Sequence, residues 1–276
     1  VMQTLQTLQT LQALLEQIKS ADRPQPFSVY HSYFEQKLLD VPITKPLLII
    51  ILQGSKALGH TQQMYCQQQF IFLANSLNID MRNIPDNDAY HALLIEFEPS
   101  DFDVFTGYQS VTKEVSHFSG QVCARFESCL TQFIQSSLWA SNDIFTMRKR
   151  EVLWFLKELG FNDVLSIKPH TSLGHKVHEL FQQSPQLHMS VSQLCRTLAM
   201  SESSLRRKLK FEGTSIQIIK DRTRMAQGLH LLQTKQYTIG HVASLCGFDS
   251  QSKFTEKFKK HFGLTPSALL RTKMKD

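Results

Sequence analysis

The hydrophobic pattern of the chain changes period along its length. In the first twenty residues Thr-Leu-Gln recurs and Leu8, Leu11, Leu15 and Ile18 fall at helical spacing, compatible with an amphipathic helix or with a Gln-rich tail. After Pro24 and Pro26 come short β-rich runs at Leu47 to Leu52, Gln69 to Ala74 and Ala92 to Phe97. Gly54, Gly59, Asn78, Pro85 and Asp86-Asn87-Asp88 separate them, and this spacing predicts a small β-sandwich or barrel. From about Phe102 the period becomes helical. Val115, Phe118, Val122, Phe126, Leu130 and Phe133 form one stripe, and a second run passes through Ile144, Val152, Phe155, Leu156 and Leu159 to Gly160. Such stripes serve either an intramolecular core face or a dimer seam. Pro169 interrupts the pattern and predicts an interdomain linker over 168–172. Everything beyond it reads as helix. The expected fold class is α+β: a helix or tail over 1–24, a β-barrel or sandwich with flanking helices over 25–167, and an all-α unit over 173–276. At 276 residues the chain is long enough for two domains with separate cores.

In the all-α region, turn chemistry divides the pattern into two similar units. Ser190 caps a short helix through Leu194 and Leu198, Met200-Ser201 supplies a turn, and a second helix follows with Leu205 and Leu209 pointing inward. Its other face leaves Ser203, Ser204, Arg206, Arg207 and Lys210 for a partner. A second unit starts at Thr238, runs through Ile239, Val242, Ala243 and Leu245, and turns at Gly247, where positive φ ends the helix. Ser250 caps the next helix. Phe254, Phe258 and Phe262 recur every four residues and give it a buried face; Gly263 and Thr265-Pro266 stop it and start another. The opposite face carries Gln251, Ser252 and Lys253, then Lys257 and Lys260, a mixture of base-edge readers and phosphate binders that suits a major groove.

Between the units a helix is expected from about Ser215 to Thr234, with Ile218, Met225, Leu229 and Leu232 serving both cores. About twenty residues at a rise of about 1.5 Å span roughly 30 Å. That is close to the roughly 34 Å between successive major-groove faces on one side of B-DNA. One chain could therefore set a reading helix in each of two adjacent grooves.

Charge agrees with this arrangement. Residues 168–276 hold 18 Lys and Arg against 7 Asp and Glu, a balance of +11, whereas residues 1–167 hold 12 against 17, a balance of −5. A polyanion is the partner such a half attracts, modestly ahead of an acidic membrane surface or solubility alone on the count itself, and the paired motif decides for nucleic acid. Cys66, Cys123, Cys129, Cys195 and Cys246 form no C-x-x-C pair, and no secretory leader or stretch of eighteen apolar residues occurs, so a reducing cytoplasm is expected and a membrane partner is not.

Enzymatic chemistry finds little support. The strand region offers only isolated His31, His60 and His91 where a metal would need a clustered set, so no metal and no cofactor is expected. His175 and His178, with His170 nearby, read as residues of a solvated helix. Asp86, Asp88, Glu96, Glu98, Asp101 and Asp103 read as exposed loop and strand-end charges, and Cys123 and Cys129 as small buried hydrophobes. No G-x-S-x-G elbow or phosphate loop is present.

Residues 173–271 resemble the AraC/XylS family of bacterial transcription regulators. The resemblance is carried by Gly247-Phe248-x-Ser250-x-Ser252-x-Phe254, by Phe258-Lys259-x-x-Phe262-Gly263-x-Thr265-Pro266, and by Arg224-Met225 and Leu231-Leu232. It implies that Ser203, Arg206 and Arg207 read one groove and Gln251, Ser252 and Lys253 the other. Three positions depart from the pattern. Gly228 stands where Ala is usual, Glu256 where a basic residue is usual, and Leu269-Leu270 where Tyr-Arg is customary. Residues 25–165 resemble, more distantly, the cupin-type domain of one branch of the family, through Pro46 to Leu52, Gly54-Ser55-Lys56, Tyr65, Phe70 to Ile79 and Glu96-Phe97-Glu98. The resemblance implies a transcription activator that binds double-stranded DNA and contacts RNA polymerase. It also implies a regulatory domain that takes a small-molecule effector or forms a homodimer.

Overall fold

The computed structural model describes residues 11, 13–15, 25–75, 77–86, 89–108, 115–167, 172–184 and 189–274. Among these residues nine strands form two antiparallel sheets: β1 (Ser28–Ser32), β2 (Gln36–Ile43), β3 (Leu47–Gln53), β4 (Ser55–Leu58), β5 (Gln63–Cys66), β6 (Gln69–Leu73), β7 (Leu77–Ile84), β8 (Tyr90–Glu96) and β9 (His117–Gln121). One sheet has the order β1-β8-β3-β6-β9 and the other β2-β7-β4-β5. The helices are α1 (Ala124–Ser136), α2 (Asn142–Glu158), α3 (Leu173–Gln183), α4 (Val191–Thr197), α5 (Glu202–Phe211), α6 (Ile216–Thr234), α7 (Ile239–Leu245), α8 (Gln251–Phe262) and α9 (Pro266–Arg271). The class is α+β, as the pattern predicts.

The continuous apolar runs follow from a five-stranded sheet that is covered on both faces. Along β3, Leu48, Ile50 and Leu52 point to a cluster with Phe126, Leu130 and Phe133 of α1 and Val152 and Leu156 of α2. Leu47, Ile49 and Ile51 alternate to the other face and meet Leu38, Val41 and Ile43 of β2. Leu11 and Leu15, the described part of the N-terminal helical spacing, are buried in the first cluster. Leu8 and Ile18 lie outside the described residues.

The reader helices divide between two cores. Val177, Phe181, Leu194, Leu205, Leu209 and Ile219 build a core for α3 to α6. Met225, Leu229 and Leu232 of α6 and Phe254, Phe258 and Phe262 of α8 instead join the cluster of the β-sheets. The expectation of separate cores is thereby corrected: α8 packs on β2, and a Cβ added at Gly263 would stand 3.1 Å from Leu39 Cδ1. Residues 168–171 of the expected linker lie outside the described residues, and Ser172 caps α3.

Other expectations are also corrected. The helical stripe from Phe102 is composite: Phe102 lies in a 3-10 turn (Pro99–Phe105), Phe118 in β9, and Phe126, Leu130 and Phe133 in the α-helix that starts at Ala124. Period-four spacing across a strand and a helix mimics a single stripe when both bury the same face. Ile218 is 43% exposed, and its neighbour Ile219 takes the buried position on α6. His175 and His178 are buried rather than solvated, and Cys123 is exposed although Cys129 is buried. Asp101 is buried as well. Its carboxylate accepts the Glu98 backbone N–H at 2.7 Å, completing a capping box, while burial holds its pKa above the ordinary range. Asp88 and His170 lie outside the described residues.

Candidate nucleic-acid interface and adjoining cavity

Both candidate reading helices begin on a serine cap. Ser201 Oγ accepts from Ser204 N at 3.3 Å to start α5, and Ser250 Oγ accepts from Lys253 N at 3.3 Å to start α8. A cap of this kind is worth about 1 kcal/mol against alanine. It fixes where the first turn begins and hence which side chains face outward. Ala199 (φ 50) and Gly247 (φ 72) make the left-handed turns that precede the two helices. At Gly247 that conformation strains any side chain.

Leu205 and Leu209 are buried on α5, as are Phe254, Phe258 and Phe262 on α8. Ser203, Arg206, Arg207 and Lys210 are exposed on α5, whereas Ser204 is half-buried and its Oγ accepts from Ser201 Oγ at 3.0 Å. On α8, Gln251, Ser252, Lys253, Lys257 and Lys260 are exposed, and Ser250 before it is exposed with its hydroxyl engaged as the cap.

The cations differ in how they are held. Arg206 pairs with Glu202 at 2.7 Å and Lys253 with Asp249 at 3.1 Å, each across one helical turn. Lys257 pairs with Asp221 of α6 at 2.8 Å. Arg207, Lys210 and Lys260 form no ion pair among the described residues and stay available for phosphate or base. Gln251 lies back toward α7, since a Cβ added at Gly240 would stand 3.1 Å from its Oε1.

Helix α6 carries both units over 19 residues, about 28 Å at 1.5 Å per residue. Gly228 permits the close crossing of α6 and α8: a Cβ there would stand 2.8 Å from Phe254 Cε2 and 3.6 Å from Cys246 Sγ. Arg224 lies over the Phe248 ring at 5.2 Å, which fixes the turn of the second unit against α6. Glu212, just past α5, accepts from Leu173 N and Gly174 N, both at 2.9 Å, and so caps α3 from outside its own segment. The chain of reader helices is thus tied at both ends of the first unit.

Beside α6 the sheets leave a cavity of about 80 Å³, lined by Leu38, Ile49, Met81 and Leu94 from the strands and by Leu229 and His230 from α6. Lys56 on β4 also lines it and is 4% exposed. Its Nζ donates to Asn83 Oδ1 at 2.6 Å and lies 5.6 Å from the centre of the Tyr90 ring. Burial lowers the Lys56 pKa to about 7, because the ammonium loses its water and no carboxylate replaces it. Tyr30 Oη lies 3.2 Å from His230 Nδ1; burial raises the Tyr30 pKa and lowers that of His230. Asn83 Nδ2 donates to Gln36 Oε1 at 2.9 Å, which also receives Gln233 Nε2 from α6 at 3.5 Å. This polar set escapes the pattern reading. Lys56 appears there only within a short quoted motif, and a single lysine in a strand gives no sign that its head group is enclosed.

Residues 194–272 match the family model described as a helix-turn-helix domain. Among curated proteins, the chain is 34% identical over 118 residues to the transcriptional regulator SirC of Salmonella typhimurium (strain SL1344), covering 43% of this chain and 40% of that protein. It is 33% identical over 112 residues to the porin thermoregulatory protein EnvY of Escherichia coli (strain K12), covering 41% and 44% respectively. The chain thus spans less than half the length of these relatives. Among solved structures, ToxT from Vibrio cholerae superposes with a TM-score of 0.65 at 16% identity over 92% of this chain and 100% of that one. Wild-type ToxT with an unsaturated fatty acid bound gives 0.62 at 15% identity over 91% and 98%. At these identities the likeness is one of fold, and it extends through the sheets as well as the helices.

Proposed function

We propose, from the AraC-type helix-turn-helix domain that occupies residues 194–272, that the chain is a sequence-specific DNA-binding transcription regulator. The observation that carries this reading is the shared construction of α5 and α8. Each starts on a serine cap, buries an apolar stripe, and turns polar and cationic side chains outward, and α6 joins them. The two helices enter successive major grooves of double-stranded DNA. Arg206 and Arg207 are the guanine-reading candidates of the first; Gln251, Ser252 and Lys253 read from the second, with Ser203 and Ser252 small enough to let the backbones approach. Lys210, Lys257 and Lys260 serve phosphate, with Ser201 and Ser250 setting the helix starts and Ser204 bound to the first cap through its N–H and hydroxyl. In this reading the protein works in the cytoplasm, by binding DNA rather than by catalysis.

Residues 25–167 form the regulatory part in this reading and 173–276 the reader, joined by the linker at 168–172. The output is activation through RNA polymerase, in accord with the family resemblance, and a homodimer would present two such readers to one operator. A small-molecule effector acts on the cavity beside α6, a reading supported by the fatty acid bound in the ToxT structure of similar fold. Because α6 contributes to both the cavity wall and the reader, an occupant that favours one placement of α6 biases DNA binding by a coupling of about 1–3 kcal/mol.

Selection of bound duplexes from a random pool tests the reading. A recovered motif with two boxes about one helical turn apart, competed by itself and not by random duplex, is the expected result. Equal competition by both would reduce the protein to a non-specific DNA binder.

A further inference from the structure

We propose that Phe211 is a base-reading residue of the first reading helix, its ring packing against the 5-methyl group of a thymine in the major groove. The proposal rests on the reading of α5 and α8 given above and adds to it a contact that neither charge nor hydrogen bonding supplies.

Caps and buried positions bring the two reading helices into one register: Ser201 corresponds to Ser250, Leu205 to Phe254 and Leu209 to Phe258. In that register Phe211 corresponds to Lys260, which is assigned above to phosphate. The outward face of one helix thus carries a cation where the other carries an aromatic ring. Phe211 is 95% exposed, although Leu205 and Leu209 of the same helix are fully buried, so its ring takes no part in the core. Its backbone is nevertheless held. The next residue, Glu212, accepts from Leu173 N and Gly174 N, both at 2.9 Å, and Gly213 (φ 71) then turns the chain so that Thr214 N reaches the Leu209 carbonyl at 2.9 Å. The ring is presented from an anchored helix end rather than from a free loop.

Helical geometry sets what it is presented to. Phe211 stands four residues beyond Arg207, so it is turned by only about 40° around the axis and lies about 6 Å further along. A helix that brings Ser203 and Arg207 to base edges therefore brings Phe211 into the same groove, toward the end where the helix leaves the bases. The chemistry there selects thymine. A neutral ring gains nothing from phosphate, and against the polar edges of guanine, adenine or cytosine it would strip hydrogen-bonding atoms of water and replace none of it. The thymine 5-methyl is the apolar group that the major groove presents, and covering it removes apolar surface of both partners from water.

The test is competition binding with the duplex recovered by the selection described above, each thymine replaced in turn by deoxyuridine, which removes the methyl and keeps every hydrogen-bonding group. At one thymine beside the base pairs whose preference Arg207→Ala relaxes, the parent chain is expected to lose about fourfold in affinity, the worth of one buried methyl group. Phe211→Ala is expected to bind the thymine and deoxyuridine duplexes equally, and Phe211→Leu to keep part of the difference. Phe211→Lys, which copies Lys260 of the other helix, is expected to lose the difference and to steepen the salt slope by about 1. All three should melt with the parent, since the side chain is exposed. No deoxyuridine effect at any thymine, an equal effect in the parent and in Phe211→Ala, or a site without a preferred thymine beside those base pairs would overturn the proposal. Any of these beside a recovered motif removes this contact and leaves the regulator standing, whereas a selection that recovers no motif removes both.

Discussion

The side-chain amide of Gln36 on β2 donates a hydrogen bond of 2.7 Å to the hydroxyl of Thr272, the residue that ends α9. The Thr272 carbonyl at the same place accepts from Tyr33 N at 2.6 Å, and Lys273 Nζ reaches the Leu232 carbonyl of α6 at 2.9 Å. The end of the reader is therefore fastened to β2, to the connection between β1 and β2, and to α6 together. Because Gln36 also accepts from Asn83, which holds Lys56, the fastening is continuous with the polar wall of the cavity. Thr272→Val keeps the side-chain shape and orphans one buried amide. It is expected to cost about 1 kcal/mol in urea denaturation, with Gln36→Leu/Thr272→Val costing less than the sum of the single changes. Additive costs would show that the two side chains do not act as a pair.

At Gly228 two effects oppose each other. Alanine would improve the helix by about 1 kcal/mol, but its Cβ would stand 2.8 Å from the Phe254 ring, which is itself fully buried. Overpacking a core costs about 1–3 kcal/mol, so packing wins. Gly228→Ala is expected to lower the melting temperature in the parent chain and to raise it when Phe254 is already Leu. A stabilising Gly228→Ala in the parent would mean that the α6 and α8 crossing has room the geometry denies it.

Arg207 and Lys260 are both exposed and form no ion pair among the described residues, one on each reading helix, yet different effects are expected from them. Arg207→Ala should relax base preference at one or two positions of the selected duplex. Lys260→Ala should weaken all duplexes alike and reduce the salt slope by about 1. Binding profiles that change identically in the two variants would contradict the assignment of base and phosphate roles.

Glu202 holds Arg206 at 2.7 Å and brings a negative charge to the surface that would face phosphate. An exposed pair of this kind contributes little to folding, so Glu202→Gln is expected to leave stability within about 0.5 kcal/mol. Binding to random duplex should tighten and the preference for the selected site should narrow, because a repulsive element against wrong partners is gone. Competition titrations at two salt concentrations check this; unchanged non-specific affinity would leave Glu202 without a role in discrimination.

The parts of the fold legible in the sequence are those set by neighbours along the chain. Ser201, Ser250, Gly247, Gly263 and the Phe254, Phe258, Phe262 stripe act within one or two turns, so caps, stops and the buried face of α8 follow from local spacing alone. The apolar runs of β3, β6 and β8 were legible for the same reason. Strands such as β2 and β5 were not, since their mixed polarity acquires meaning only once β7 and β4 lie beside them. Phe118 reads as helical because four-residue spacing continues from β9 into α1 when both feed one core. The shared cluster of β2 and α8 joins segments from opposite ends of the chain, and Lys56 is enclosed through Asn83, 27 positions on, and through Tyr90. No local pattern records them.

His178 supplies a pH dependence of known sign. Its Nδ1 lies 2.6 Å from Thr223 Oγ1 where α3 meets α6, and the ring is buried. Burial first, then the nearby charges of His175 and Lys45, lowers its pKa from the ordinary 6.5 to about 4. Between these values the unfolded chain binds a proton that the folded chain refuses, so stability rises with pH across the window and is lost as pH falls through it. Below about pH 4 both states are protonated and the dependence ends. The full shift corresponds to about 3 kcal/mol, at 1.36 kcal/mol per pKa step. His178→Gln retains a partner for Thr223 without titrating, and is expected to flatten the acid arm of the stability curve between about pH 4 and 6.5. The measurement is urea unfolding across that range, followed at α3 and α6 by hydrogen exchange. A variant whose acid arm matches the parent would assign the dependence to other groups and leave His178 as a packing residue only.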